Sequence, residues 1–379
     1  MGFEGHNEEV RVVWEAYRAG RPVRVPVIFG INVRYMLLDA KLNPSGITFR
    51  EYSDDPAVML EKQLEFLEWV ARKVPQDAQM GLPASWDIVV DFQNYYEAGF
   101  LGARIYFPEG NVPVAEPFLD NDHKNMLLDE GLPDLDKSPL WRKNVEYYEY
   151  FSARKKEGYT YSGRPIGSVA LKGLGTDGPL TLLMSIRGAE GLVDMYANTE
   201  YYHQMMSYLT EFAIMEIKTA RRIAGQEERQ EAFGFADDSI ELLSAEDYRR
   251  FVLPYHKRLV DELGGAGPNS IHICGDVQRH FRTIIEELNV RAIDTGFPIN
   301  WGTLRDEVGD DVQIQGGVHV ETLRRGSADE VRAETRRILQ SGIMRGGRFI
   351  IREANNLAPL TPVGNLAVMY EAVKEYGRY

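Results

Sequence analysis

The chain has a single cysteine, Cys274, and seven histidines in 379 residues. One thiol rules out an intrachain disulfide. No apolar run approaches the roughly 20 residues that a membrane-spanning helix needs. Basic residues are also short, with 43 Lys and Arg against 57 Asp and Glu and a formal net charge of −14. Neutralising phosphates takes a cationic surplus, so a general nucleic-acid binder is excluded, and so is adsorption to an anionic membrane. Met1-Gly2-Phe3-Glu4-Gly5-His6 has no basic start followed by an apolar stretch, so a secretory signal is not expected and a cytoplasmic enzyme is. Phosphate-binding and dinucleotide glycine loops are missing, as is the Gly-x-Ser-x-Gly elbow of serine hydrolases.

What is present is an alternation of short β-branched runs with longer helical patterns, the mark of βαβ units. Strands are predicted at Val23–Phe29, Trp86–Asp91, Ile166–Lys172, Ala232–Ala236, Ser270–Cys274, Arg291–Asp294, Val312–Gln315 and Arg348–Ile351. Helices are predicted at Pro56–Lys73, Glu200–Ile223, Ala245–Glu262, Val277–Leu288, Ala328–Leu339 and Val363–Tyr376. Eight strands in this order point to an α/β protein, a single (β/α)8 TIM barrel spanning residues 1–379, with a doubly wound open sheet as the alternative. Residues 92–161, rich in Tyr, Asp and Pro, interrupt the rhythm. They read as an insertion after strand two, either a lid over the barrel mouth or a structural excursion. Its tyrosines (Tyr95, Tyr96, Tyr106, Tyr147, Tyr148, Tyr150) read as a packed cluster, with aromatic-ligand stacking as the other use.

Active sites of such barrels lie at the C-terminal strand ends. Six ends carry ionisable groups: Asp91, Lys172, Asp237-Asp238, His272 with Cys274 and Asp276, Asp294, and Arg352-Glu353. Converging ionisable groups mark a site, although Asp238 and Asp276 also suit helix caps. His272 and Cys274 are two residues apart, so on a strand both face the same way. Imidazole and thiolate make a pair suited to zinc, while core packing is the commoner use of such a pair. With no second cysteine, a third ligand has to be His, Asp or Glu; Glu353 is best placed and Asp237 is next.

The stretch His272-Ile273-Cys274-Gly275-Asp276 resembles the His-x-Cys-Gly segment of the uroporphyrinogen decarboxylase superfamily. Three further stretches resemble it in the same order. They are Gly178-Pro179-Leu180-Thr181 with Gly188-Ala189-Glu190; Asp237-Asp238 with Leu243-Ser244 and Tyr248–Tyr255; and Ala358-Pro359-Leu360-Thr361-Pro362 with Asn365. The likeness is strong over about residues 165 to 379. It implies a (β/α)8 barrel and one of two activities: cofactor-free decarboxylation of uroporphyrinogen, or methyl transfer with a corrinoid protein, often with a zinc held by His-x-Cys and a distant cysteine. The decarboxylase signature Arg-Gln-Ala-Gly-Arg-Tyr is absent, and Phe29–Tyr35 stands there, keeping only Arg34-Tyr35. Asn355 stands where the distant cysteine would fall.

The expected function is therefore a demethylase-type, corrinoid-dependent methyltransferase acting between a small-molecule donor and a corrinoid protein. His272, Asp237, Asp294 and Lys172 are the expected catalytic residues. Tyr35, Arg34, Asp91 and Asp177 are expected to bind substrate, and His272, Cys274 and Glu353 to hold zinc. The corrinoid would come from a partner protein, and self-association would give a homodimer. A decarboxylase using Asp87 or Asp91 is the alternative, and a non-catalytic binding barrel is the third.

Overall fold

The first expected strand fails for want of a donor. In the computed structural model, which describes residues 2–379, Val23–Phe29 forms only isolated bridges, Arg24 to Arg378 and Val27 to Ile351. Pro26 has no N–H to give a ladder. The other seven expected strands form. Gly234–Ala236, Asn269–Ile273, Val290–Thr295, Gln313–His319 and Phe349–Ala354 make one parallel sheet in chain order. Trp86–Val89 pairs in parallel with Arg164–Ala170, and the short Thr160–Tyr161 strand extends that sheet antiparallel. The five-stranded sheet continues on one side into Pro26–Ile28, through Ile28 N–H to Ile351 O and Ile351 N–H to Pro26 O. On the other side Ala236 N–H reaches Thr176 O at 3.0 Å. The strand order of a barrel is present, but ladder bonds among the described residues do not close the ring.

Helices Pro56–Lys73, Ala328–Leu339 and Val363–Tyr376 form with the expected bounds, and Thr199–Ile223 and Gln278–Leu288 within one residue of them. Ser327 and Glu330 make a capping box on one, and Asp55 caps another ahead of Pro56. The expected Ala245–Glu262 helix is broken into Ala245–Asp247, a π-turn at Tyr248–Val252 and Leu253–Leu263. Pro254 cannot donate into an α-helical ladder, and the widened turn absorbs the missing bond.

Residues 92–161 include a two-stranded hairpin, Ile105–Tyr106 with Val114–Ala115, and the long helix Pro139–Lys156. Tyr95, Tyr96, Phe100, Trp141, Tyr147 and Phe151 are buried in the main hydrophobic cluster. Asn144 on that helix bonds both the N–H and the carbonyl of Lys172, at 3.0 and 2.9 Å. Much of this stretch therefore builds core and fixes one strand end.

Along the parallel strands, alternate residues face opposite ways. Ile273 and Ile314 are buried in the core, while Ser270, His272, Ala292 and Asp294 line a cavity. Barrel interiors are normally filled by bulky branched side chains. Here Ala170, Gly234, Ala236, Ser270 and Ala292 are too small to fill the space, and a cavity of about 530 Å³ remains.

Candidate active site

Strand register builds the centre of the site. His272 pairs with Asp294 across two parallel strands, so both side chains leave on the same face side by side. Asp294 Oδ2 sits 2.9 Å from His272 Nδ1. Asp294 is held in turn by Arg352, whose guanidinium reaches it at 2.7 Å and Glu353 at 2.7 Å. Arg352 lies two strands away, opposite Gly317, and a Cβ on Gly317 would stand 2.4 Å from the Arg352 carbonyl oxygen. Only glycine tolerates that approach at its φ of +158°.

Cys274 follows the strand. Its N–H donates to Asp238 Oδ1 at 2.7 Å, and its Sγ lies 3.1 Å from His272 Nε2 and donates to Asn355 Oδ1 at 2.9 Å. His272 Nε2 is 4.0 Å from Asp238 Oδ1. One ligand atom each from Asp238, His272 and Cys274 lies within 4.8 Å of the others. Burial pushes the Cys274 thiol up, and Asp238 and Asp294 add to that, against the pull of His272. Burial would lower His272, but its bonds to Asp294 and Cys274 outweigh it and raise its pKa to about 11.

The acidic neighbour of the pair is thus Asp238, taken from sequence as a cap, and not Glu353. Glu353 is the best-placed third ligand by sequence, but the register puts Arg352 on the face of His272 and Asp294 and Glu353 on the opposite one; the strand ends at Ala354, and Asn355 turns into the left-handed region at φ +79°. That turn sends Asn355 toward Cys274. Glu353 is instead fully buried, accepting from Gly30 N–H at 2.9 Å and paired with Arg352. Burial raises its carboxyl to about 7 against the opposing pull of Arg352.

The other expected residues divide. Lys172, Asp177, His272 and Asp294 line the 530 Å³ cavity together. Arg34 and Asp91 line an adjoining cavity of about 310 Å³, which shares Lys172. Asp91 also accepts from the Tyr52 hydroxyl and from Gln93, which ties it to its own turn. Asp237 is not at the cavity: it is fully buried, and accepts from Leu180 N–H, Thr181 N–H and Thr181 Oγ1 at the start of the Pro179–Arg187 helix. His256 Nε2 lies 2.9 Å from it, and the Tyr248 hydroxyl meets His256 Nδ1 at 3.1 Å. Tyr35 is buried as well; its hydroxyl donates to the Thr361 carbonyl and its ring packs on Trp69. Both are structural anchors here. Sequence reasoning placed Asp238 and Arg352 among the ionisable strand ends but gave neither a role in the site; the strand stops at Ala236, and a 3-10 turn from Asp238 aims that carboxylate at Cys274.

Residues 12–376 match the family profile described as uroporphyrinogen decarboxylase (URO-D). The chain belongs to the uroporphyrinogen decarboxylase family. Its curated relatives include enzymes of two kinds. The methylcobamide:CoM methyltransferase MtbA of Methanosarcina acetivorans is 23% identical over 202 residues, 52% of this chain and 56% of that protein. The methylated-thiol–coenzyme M methyltransferase of Methanosarcina mazei is 30% identical over 208 residues, 52% of this chain and 51% of that protein. The uroporphyrinogen decarboxylase of Syntrophotalea carbinolica is 27% identical over 179 residues, 47% of this chain and 50% of that protein. The chain spans about half the length of the curated relatives it matches. In three dimensions it resembles a methyltransferase from Methanosarcina mazei, with a TM-score of 0.64 at 19% identity over 97% of this chain and 98% of that one. That likeness concerns the fold. No described helix is long and apolar enough to cross a membrane.

Proposed function

We propose that this chain is a demethylase-type methyltransferase, which takes a methyl group from a small-molecule donor and passes it to a corrinoid carried by a partner protein. The observation that carries the reading is the convergence of imidazole and thiol from one strand end and a carboxylate from the next, with a second carboxylate from a third strand behind the imidazole. Separations of 3.1 and 4.0 Å from His272 Nε2 bracket the roughly 3.4–3.6 Å expected between tetrahedral ligands of one zinc ion, so small side-chain shifts would bring the three groups onto it. His272, Cys274 and Asp238 would hold the ion, and Asn355 faces the same thiol. Zinc there would keep the thiol ionised and act as a Lewis acid toward a donor heteroatom. The chain's own residues do the rest. Asp294 fixes the ring and tautomer of His272, as carboxylates do behind ligating imidazoles. Asp238 pins the Cys274 backbone, and Arg352 orients Asp294. Lys172 and Asp177 offer polar groups to a donor in the cavity. The methyltransferase relatives support the class of reaction.

Incubation with cob(I)alamin and a methylated thiol such as dimethyl sulfide tests the reading. Corrinoid methylation that Cys274→Ala abolishes is expected; unchanged methylation in that variant contradicts it.

Decarboxylation of a carboxylate substrate is the second reading, favoured by Arg34 and Lys172 in the adjoining cavity. Against it, uroporphyrinogen has eight carboxylates, while the main cavity sets Asp177 and Asp294 beside Lys172 and His272, and Arg352 is spent on Asp294 and Glu353. Turnover of uroporphyrinogen by metal-free protein would establish it.

A further inference from the structure

The 310 Å³ cavity holds two cations that no protein acceptor binds. The Arg34 guanidinium makes no hydrogen bond or ion pair among the described residues, and its Nε is buried without a partner. Other arginines in the interior are not left so: Arg24 pairs with Asp77, Arg187 with Asp194 and Arg352 with Asp294. Lys172 lines the same cavity, its ammonium 4.7 Å from the centroid of the Tyr96 ring and bonded to no acceptor among the described residues. Charged groups in a partly buried wall are costly without a partner, so the space suits an anion supplied from outside.

The acids of the cavity are already engaged. Asp91 accepts from Tyr52 and Gln93, and Asp87 Oδ1 accepts the N–H and the hydroxyl of Ser168 at 2.9 and 2.6 Å. Gln93 is 5% exposed, and its backbone sits in the left-handed region at φ +51°, uncommon for so long a side chain. Its Nε2 donates to Asp91 Oδ2 at 2.6 Å; a carboxylate only accepts, so the free end of the amide is Oε1. That oxygen is buried with no partner, on a residue that lines the cavity. Backbone strain beside an unused buried acceptor is a mark of binding sites. Ile31, Val33, Phe66, Leu67 and Val89 supply apolar walls. A cavity of about 150 Å³ holds a benzene ring, so 310 Å³ has room for a substituted one.

We propose that this cavity seats a carboxylate of the methyl donor between Arg34 and Lys172, with Gln93 Oε1 accepting an O–H or N–H from the same molecule. The inference rests on the methyl-transfer reading and adds the donor's class, a ring-sized apolar acid bearing one carboxylate. A dianion such as a phosphate is disfavoured, because its second charge would face Asp87 and Asp91. Val89 and Lys172 line both cavities, so a donor held here by its carboxylate continues toward His272.

Calorimetric titration of the wild-type protein needs no variant. 3-Hydroxybenzoate is expected to bind, with 3-hydroxybenzamide weaker by about tenfold or more for want of the charge, and benzoate by about fivefold or more for want of the hydroxyl. Arg34→Met and Lys172→Met each lose about tenfold or more for the acid and little for the amide. Asn accepts a left-handed backbone, so Gln93→Asn withdraws the acceptor without new strain and erases the advantage of 3-hydroxybenzoate over benzoate. In methyl transfer to cob(I)alamin, 3-(methylthio)benzoate exceeds methyl phenyl sulfide by about tenfold or more in kcat/KM, and Arg34→Met removes that preference. Equal binding of acid and amide, binding of neither, or phenylphosphonate binding more tightly than benzoate overturns the proposal. The expected binding pattern with no methyl transfer from either donor supports the seat and defeats the methyl-transfer reading.

Discussion

At Asp294 a single carboxylate sets both the orientation and the charge of the imidazole that a metal would use. Its oxygen holds His272 Nδ1 at 2.9 Å, which leaves Nε2 pointing at Cys274. Asp294→Asn is expected to weaken zinc binding by about 10–100-fold, the usual effect of losing a carboxylate behind a ligating histidine; equilibrium dialysis measures it. The same pair makes a pH signature in protein stripped with chelator. Folded His272 keeps its proton to about 11, against a usual value of 6.5. A histidine raised on folding adds stability that is complete below about pH 6.5 and is lost as pH climbs toward 11. The melting temperature of Asp294→Asn should therefore fall furthest below wild type near pH 6, with the gap closing at alkaline pH. A constant gap would mean that the pair carries no such linkage.

At the scale of elements, Asp237 shows why a residue type at a strand end does not fix its job. It lies one position from Asp238, yet it points to the start of the Pro179–Arg187 helix, where two backbone N–H groups need an acceptor. Asp237→Ala leaves those donors and His256 without their partner in the core. A loss of about 3–5 kcal/mol in denaturant unfolding is expected, with zinc affinity in the surviving folded protein unchanged. The strands and helices were legible because their periods and caps are local: Pro56, Ser327 and the β-branched runs say where elements begin. The His272–Asp294 neighbourhood followed from strand order once register was known. What local pattern cannot carry is the path after a strand ends. Glu353 and Asn355 share parity, but the left-handed turn at Asn355 brings its amide to Cys274, while Glu353 stays on the strand face away from His272, buried against Arg352. Pro26 likewise looked like part of a β-run and removed a ladder donor.

Over the whole molecule, small residues hollow the interior between two polar poles. One pole holds His272, Asp294 and the nearby Cys274; the other holds Lys172 and Asp177. Filling the space should separate ligand binding from metal binding. Ala292→Leu places a branched side chain in the cavity, and is expected to weaken donor binding by about tenfold or more, seen as a raised KM, while zinc stoichiometry stays at the wild-type value. Family membership fixes the scaffold on which these poles sit, and methyltransferases and decarboxylases both use it. Whether the proposed His272, Cys274 and Asp238 set holds a metal decides between them. Zinc titration of chelator-stripped protein, comparing wild type with Cys274→Ala, Asp238→Asn and Glu353→Gln, tests it most directly. One zinc per chain is predicted for wild type and Glu353→Gln, with binding weakened by about tenfold or more in Asp238→Asn and lost in Cys274→Ala. Wild-type protein that binds no zinc, or an Asp238→Asn variant that binds it as tightly as wild type, would contradict the assignment.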